Sequence, residues 1–242
     1  MSARLKVVHT VLERLGRRGF EVRRHSAARR QAVLTRHGVD LVLDVGAADG
    51  GYGTSLRSFG YTGAIVSFEP QAAAFARLGE TIAGDPRWTA RHLALGAEAG
   101  EVEMFIASNS TSSSILPMLD SHVAAAPSVR YVGTETVRVS RLDDETAPLL
   151  DAYAHPFLKI DTQGFEREVL AGGSDTVAAC VGLQLELSLV PLYDGGMLID
   201  EAVGWAYDHG FQMVGLEQGY AAPTGEILQI DGVFVRDHSP VR

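Results

Sequence analysis

The chain has a single cysteine, Cys180, which rules out an intrachain disulfide and removes any cysteine-based zinc site from consideration. Nor does it contain the run of about 18 apolar residues that a membrane-spanning helix requires. Scattered arginines stand at the N-terminus where a signal peptide would have a continuous apolar core, so a cytoplasmic protein is expected. Net positive charge is missing as well. A formal charge of -9 opposes broad binding to phosphate backbones, which excludes nucleic acid as the expected partner. No HxxxH pair offers a transition-metal site, and the GxGxxG spacing of dinucleotide loops is not found. Internal repeats and long linkers are lacking too, and nothing in the sequence specifies an oligomeric state.

What is present suits one packed α/β domain: 242 residues, 46% apolar and 21% charged. Helical periodicity at Val7, Val8, Val11, Leu12 and Leu15, with a second helical stretch over 27–36, predicts a helical cap over 1–38 followed by a single domain over 39–242. Arginines crowd this first segment (Arg14, Arg17, Arg18, Arg23, Arg24, Arg29, Arg30, Arg36). They are expected either to form a solvated face or to attract an anionic surface, giving peripheral membrane association or access to a lipid-linked glycan acceptor.

From position 39 the pattern alternates between strand-like and helix-like stretches: strands at 39–45, 64–68 and 88–95, with a helix at 71–82. It resumes with strands at 157–160 and 182–187 and a helix at 165–171. Such alternation predicts a doubly wound, mostly parallel sheet. The stretch with short strands at 102–106 and 136–139, separated by the polar tract 108–114, reads as a mid-chain insertion. A helix at 202–209 and strands at 211–216 and 230–235 close the chain as an expected antiparallel pair.

The chemistry concentrates at LVLDVGAADGGY, over 41–52. Glycines directly after a buried strand let backbone approach a ligand closely. Asp44, just before the loop, would repel a pyrophosphate and suits instead a cofactor bearing an ammonium and a sulfonium, through direct or water-bridged hydrogen bonds, with loop capping as its alternative role. Glu69 ends the next strand in SFEP, where a carboxylate can accept both ribose hydroxyls, and Pro70 follows it.

Together DVGAADGGY, SFEP, ALGAEAGEVEMF, STSSS, VSRLDDE and FLKIDTQGFEREVLAGG resemble the FkbM family of methyltransferases, over about 41–193. The resemblance implies a Rossmann-like class I methyltransferase fold. It also implies S-adenosylmethionine as cofactor and methyl transfer to a hydroxyl, on a sugar such as glycolipid rhamnose or on a polyketide-type natural product. Cofactor contacts are then expected from Asp44, Gly46, Ala47, Gly50, Tyr52, Glu69, Pro70, Leu95, Ser113 and Asp161. Two positions depart from the common family wording: Ala48 where Asn is frequent, and Thr162-Gln163 in place of Val-Glu.

O-methylation needs alignment and a group to take the hydroxyl proton. Asp161, at the carboxyl end of a core strand, is the first candidate, with helix capping as its alternative role. Glu186, a carboxylate inside an apolar strand, is the second, with an ion pair to Lys159 as its alternative. His122 is the best-placed histidine, following the polar insertion. Asp143, Asp144, Glu145 and Asp161 offer oxygen ligands for Mg²⁺, or the first two simply serve as helix caps, and no metal ligands are assigned. Ser112, Ser113 and Ser114 are expected either to contact cofactor or acceptor, or to form a surface loop. The remaining alternatives are an NAD-dependent oxidoreductase and a non-catalytic protein that binds the cofactor or a partner.

Overall fold

The computed structural model describes residues 13–14, 17–19, 25–109 and 112–236. Most of the helix expected over 7–15 and two of the clustered arginines, Arg23 and Arg24, lie outside these residues. The strands are β1 (Leu41–Val45), β2 (Ala64–Phe68), β3 (Trp88–Arg91), β4 (Ala94–Leu95), β5 (Gly100–Ala107), β6 (Tyr131–Ser140), β7 (Pro156–Ile160), β8 (Gly182–Ser188), β9 (Gln212–Gln218) and β10 (Gln229–Val235). The helices are α1 (Ser26–Arg36), α2 (Gly51–Ser58), α3 (Ala72–Ile82), α4 (Asp120–Ala125), α5 (Leu142–Leu150), α6 (Glu166–Ala171), α7 (Ser174–Ala179) and α8 (Ile199–Asp208).

Seven strands form one sheet in the order β3-β2-β1-β7-β8-β10-β9. Neighbours are parallel except β10, which runs antiparallel to both β8 and β9. β1 is buried at every position because helices cover both faces of the sheet, which is why it reads as an apolar run instead of an alternation. Leu41, Leu43 and Val45 pack with Phe68, Leu158, Ile160 and Leu185 on one face. Val42 faces the other way, with Leu34 of α1, Leu56, Leu78, Trp88 and Phe157. Helix α1 is therefore built into the core of the sheet domain.

The expected strand over 88–95 divides in two. β3 stays in the main sheet, whereas β4 leaves it and pairs with β6. Together β4, β6 and β5 form a separate three-stranded sheet that corresponds to the anticipated insertion.

Strand order reverses at β1, whose neighbours are β2 on one side and β7 on the other. At such a switch point the loops leaving the carboxyl ends diverge and open a crevice. Across it runs a row of polar residues in register: Ser67 of β2 pairs with Asp44 of β1, Asp44 with Lys159 of β7, and Lys159 with Gln184 of β8. Trp88 Nε1 caps this row by donating to Ser67 Oγ at 2.9 Å.

Candidate functional site

The crevice opens into a cavity of ≈ 460 Å³ above the carboxyl ends of β1, β2 and β7. Part of its wall is apolar, formed by Phe68, Leu93, Leu95, Met104, Ile115 and Phe165. Another part carries four carboxylates: Glu69, Asp161, Glu186 and Asp231. Of the residues expected to touch a cofactor, Gly46, Glu69, Pro70, Leu95, Ser113 and Asp161 line this cavity, as do all three catalytic candidates, Asp161, Glu186 and His122.

Asp44, Ala47, Gly50 and Tyr52 are not among the lining residues. The Asp44 carboxylate is 0% exposed, accepts from Ser67 Oγ at 3.1 Å, and lies 3.2 Å from Lys159 Nζ. Its charge is thus neutralised beneath the loop, which corrects the expectation of direct contact with a cationic ligand. Burial opposes the Lys159 charge, but Asp44 and then Asp161 outweigh it and raise the pKa. The same ammonium donates to the carbonyls of Val45 at 3.2 Å and Gly46 at 2.8 Å, tying the start of the loop to β7.

Gly46 has φ +74°, and an added Cβ would stand 1.8 Å from the Asp161 carbonyl oxygen. The missing side chain makes room for the neighbouring loop of the chain itself. Gly50, the N-cap of α2, has φ +90° and sits against Leu78 and Trp88, so its role is helix packing. Tyr52 donates to Gln184 Oε1 at 3.1 Å and lies under the Arg30 guanidinium, 4.6 Å from its ring centroid. Arg30 also pairs with Glu217 at 2.7 Å and is 5% exposed. This arginine is a core residue and unavailable to an anionic surface.

Glu69 is the junction of the loop after β1 and the loop after β2. Its Oε2 accepts from the Ala48 N–H and its Oε1 from the Gln71 N–H, both at 2.8 Å. Burial pushes its pKa up to about 7, against the lowering effect of those two N–H groups. Ala48 holds a left-handed φ of +49°, which is costly for a residue with a Cβ and is better tolerated by Asn.

Gln163 organises the opposite side of the cavity. Its Nε2 donates to Asp161 Oδ1 at 2.8 Å and to Glu186 Oε1 and Oε2 at 3.1 and 3.0 Å. Tyr193 Oη donates to Gln163 Oε1 at 2.9 Å, and Ser114 Oγ donates to the Gln163 carbonyl at 2.7 Å. An amide can bridge two carboxylates where a third acidic side chain would repel them. The departure at Thr162-Gln163 is thus accommodated by a complete set of partners. Glu186 has this amide as its partner, in place of the Lys159 pair weighed from sequence. Burial, and then the Asp161 charge, raise its pKa well above the ordinary carboxylate range.

Asp161 does not cap α6. The bracing carboxylate is Glu166, whose Oε1 accepts from the Thr162 N–H, Thr162 Oγ1 and Gly164 N–H. The serines form no surface loop: Ser112, Ser113 and Ser114 are all buried. Ser113 Oγ accepts from the Ala107 N–H at 3.0 Å, so its hydroxyl braces the insertion.

Of the four carboxylates weighed for Mg²⁺, Asp161 lines the cavity and the other three are engaged elsewhere. Asp143 accepts from Thr176 N and Oγ1 at 2.9 and 2.8 Å at the start of α7, Glu145 pairs with Arg91, and Asp144 faces Arg141. Among the described residues no cluster of three or more His, Cys, Asp or Glu is placed to hold a metal.

Sequence reasoning missed Asp231, Gln229 and Tyr220, which complete the cavity from β10 and the turn before it. Asp231 is a carboxylate in a strand that is apolar apart from Gln229, the same signal that singled out Glu186. Burial, and then Asp161, raise its pKa to about 6.

A doubly wound α/β sheet with a cavity and a buried carboxylate at its switch point is the arrangement in which such folds bind their ligands. The chain matches the model of the methyltransferase FkbM domain over residues 44–213, and it belongs to that family. Among solved structures it is similar to the methyltransferase FkbM of Methylobacillus flagellatus KT, with 15% identity and a TM-score of 0.51, over 80% of this chain and 43% of that one. The chain therefore spans less than half the length of that protein. This likeness establishes the class I methyltransferase fold, an α/β domain with a mostly parallel central sheet. Fainter similarity extends to magnesium protoporphyrin IX methyltransferase of Synechocystis PCC 6803 with bound S-adenosylmethionine, at 14% identity and TM-score 0.48, over 87% of this chain and 78% of that one. Fibrillarin of Aeropyrum pernix, also with bound S-adenosylmethionine, gives 10% identity and TM-score 0.46, over 87% and 76%. No curated protein matches the chain in sequence. Membership of a methyltransferase family displaces the oxidoreductase alternative. No helix among the described residues is long and apolar enough to cross a membrane.

Proposed function

We propose that the chain transfers the methyl group of S-adenosylmethionine to a hydroxyl of a sugar or polyketide-type natural product. The observation that carries the cofactor reading is Glu69, a buried carboxylate fixed by two backbone N–H groups beside an apolar cavity wall. The residues present fit the cofactor. Leu93, Leu95, Met104 and Phe165 offer an apolar slot for adenine, and the remaining lone pairs of Glu69 suit ribose hydroxyls. Asp161, with Glu186 held beside it by Gln163, balances the cationic groups of the amino acid portion.

Bound there, the cofactor supplies a methyl carbon activated by a sulfonium. The protein holds the acceptor oxygen in line, keeps water out and provides a proton acceptor. The mixed wall near the insertion, with Asn109 and Ser112 beside Ile115 and Val129, supports an acceptor that is part polar and part apolar. Mg²⁺ has no part in this reading, so turnover is expected to survive excess EDTA. A cytoplasmic location is part of the same proposal. Attraction of the first-segment arginines to an anionic surface, and with it access to a lipid-linked acceptor, is a separate expectation. It is lost if neutralising Arg17, Arg18, Arg23 and Arg24 leaves sedimentation with anionic vesicles unchanged.

Calorimetric titration tests the cofactor reading. S-adenosylmethionine and S-adenosylhomocysteine should bind and NAD⁺ should not. Glu69→Gln should weaken binding at least about tenfold, the equivalent of about 1.4 kcal/mol. Wild-type affinity in Glu69→Gln would refute the assignment. Incubation with glycolipid and secondary-metabolite fractions, read by mass spectrometry for a gained methylene, tests transfer. Binding without any methyl gained would favour the non-catalytic alternative.

A further inference from the structure

Two polar atoms in the cavity wall have no partner in the protein. They are Nδ1 of His122 on α4 and the hydroxyl of Tyr220, in the turn between β9 and β10; both are shielded from solvent and without a hydrogen bond. An unpaired buried group costs about 1–3 kcal/mol, so two at one place ask for a ligand that satisfies them. His122 is 4% exposed, and its ring stacks toward Tyr220 with centroids 6.1 Å apart. The Tyr193 ring meets it edge-on at 5.3 Å, and Tyr193 is itself bonded to Gln163. The imidazole thus sits one residue away from the carboxylate bridge assigned above to the cofactor's cationic end.

The elements that carry this pair are fixed to each other. The Leu119 N–H donates to the Leu192 carbonyl at 2.9 Å, and Ser121 Oγ donates to the Pro191 carbonyl. The N–H groups of Leu228 and Gln229 both donate to the Tyr220 carbonyl, at 2.9 and 3.1 Å. Ala125, Leu192, Tyr193 and Leu228 pack as one cluster with Tyr220 against it. Burial lowers the His122 pKa, keeping the ring in the neutral form that can accept a proton. Charge narrows the ligand further. Neither lysine nor arginine is among the residues lining the same cavity, so a phosphate would find no cationic partner there.

Resting on the methyltransferase reading, we infer that His122 and Tyr220 form the acceptor subsite, where Tyr220 hydrogen-bonds an uncharged hydroxylated ring and His122 Nδ1 takes the proton of its reacting hydroxyl. In that transfer the acceptor O–H bond breaks and its proton passes to Nδ1. The freed oxygen pair forms the new O–C bond, and the C–S bonding pair stays on sulfur. A neutral imidazole and a sulfonium become an imidazolium and a thioether, so charge balances. A sugar still attached to a nucleoside diphosphate carries phosphates that this cavity disfavours, so glycosyl transfer off such a carrier is the class of reaction that supplies the acceptor.

The test uses full-length protein with ¹⁵N-labelled histidine, observed by NMR both cofactor-free and loaded with S-adenosylhomocysteine. The His122 signal is assigned by its loss in His122→Gln. The probes are the methyl glycosides of glucose, fucose and rhamnose, with glucose 1-phosphate as the charged comparison. At least one neutral glycoside should shift the His122 resonance saturably, and glucose 1-phosphate should not. That glycoside should be methylated by wild type, with kcat lowered at least about 100-fold in His122→Gln. Tyr220→Phe should lower kcat/KM roughly threefold to tenfold, the worth of one neutral hydrogen bond. Both variants should keep wild-type cofactor affinity, and Tyr220→Phe, which removes an unpaired buried hydroxyl, should keep or raise Tm. The inference is overturned if no neutral glycoside moves the His122 signal, if the sugar phosphate moves it equally, or if His122→Gln keeps wild-type turnover. Failure of the underlying reading shows up separately, as folded protein that does not bind S-adenosylhomocysteine.

Discussion

Replacing Lys159 by methionine is the sharpest test of how the cofactor loop is held. Methionine keeps much of the length and apolar stem of lysine but loses the ammonium. Asp44, 0% exposed, would then keep only Ser67 as a partner, and the carbonyls of Val45 and Gly46 would each lose a donor. Removing one member of a buried pair costs about 3–5 kcal/mol, because the other charge stays buried and uncompensated. For a chain of this size each kcal/mol moves Tm by about 2–4 °C, so a fall of about 6–20 °C is expected. Asp44→Asn should cost less, since Asp161 Oδ2 lies 3.7 Å from the ammonium and the two carbonyls still accept from it. The double variant Asp44→Asn/Lys159→Met should be destabilised by less than the sum of the singles, with a coupling of about 2 kcal/mol or more. Urea and thermal unfolding followed by circular dichroism measure these terms, and calorimetry should show weaker S-adenosylmethionine binding in Lys159→Met. The reasoning is refuted if Lys159→Met loses less than about 1 kcal/mol, as an exposed pair would, or if the single effects simply add.

Gly46→Ala should cost at least about 2 kcal/mol, measured as lost Tm and soluble yield, because its Cβ would strike the Asp161 carbonyl oxygen in a left-handed backbone conformation. Gly79→Ala in α3, where an added Cβ meets nothing within 4 Å, should instead stabilise by about 0.5–1 kcal/mol. Asp231 has its pKa raised by burial from 3.8 to about 6, so the folded state holds its proton more tightly than the unfolded chain does. Its contribution is therefore intact below the unfolded value and is lost as pH rises through about 6. Asp231→Asn should then raise Tm at pH 8 by an amount corresponding to about 1–2 kcal/mol, after discounting for partial exposure, and leave it unchanged near pH 4. Equal gains at both pH values would contradict this.

Much of the sheet was legible because its strands are buried on both faces. β1 and β2 are largely apolar runs of strand length, and Gly46 and Glu69 just after them mark the switch point where the cavity opens. What escaped was non-local. Asp44 looks ligand-facing in sequence because Lys159, its partner, lies far along the chain and comes beside it only through strand register. The serine tract reads as a loop by polarity, yet its hydroxyls bond to backbone and are buried. Glu186 was recognised as a misfit in its strand, but the pairing row brings Lys159 beside Gln184, leaving Gln163 to meet the carboxylate. Helices α4 and α7 have six residues each, too few to display a hydrophobic period.

The polar row that crosses the sheet from Ser67 through Asp44 and Lys159 to Gln184 also acts as a ruler during assembly. The four parallel strands concerned come from separate stretches of chain, and no tight turn sets their relative offset. Apolar side chains alone would tolerate many alignments of β1 against β7. A slip of one residue, however, would turn Asp44 toward Leu158 or Ile160 and leave Lys159 beside Leu43 or Val45, so that two opposite charges are buried apart in hydrocarbon. The misaligned sheet is thereby rejected on electrostatic grounds, and the one accepted alignment is the one that also sets the loop after β1 against Asp161, just past the end of β7.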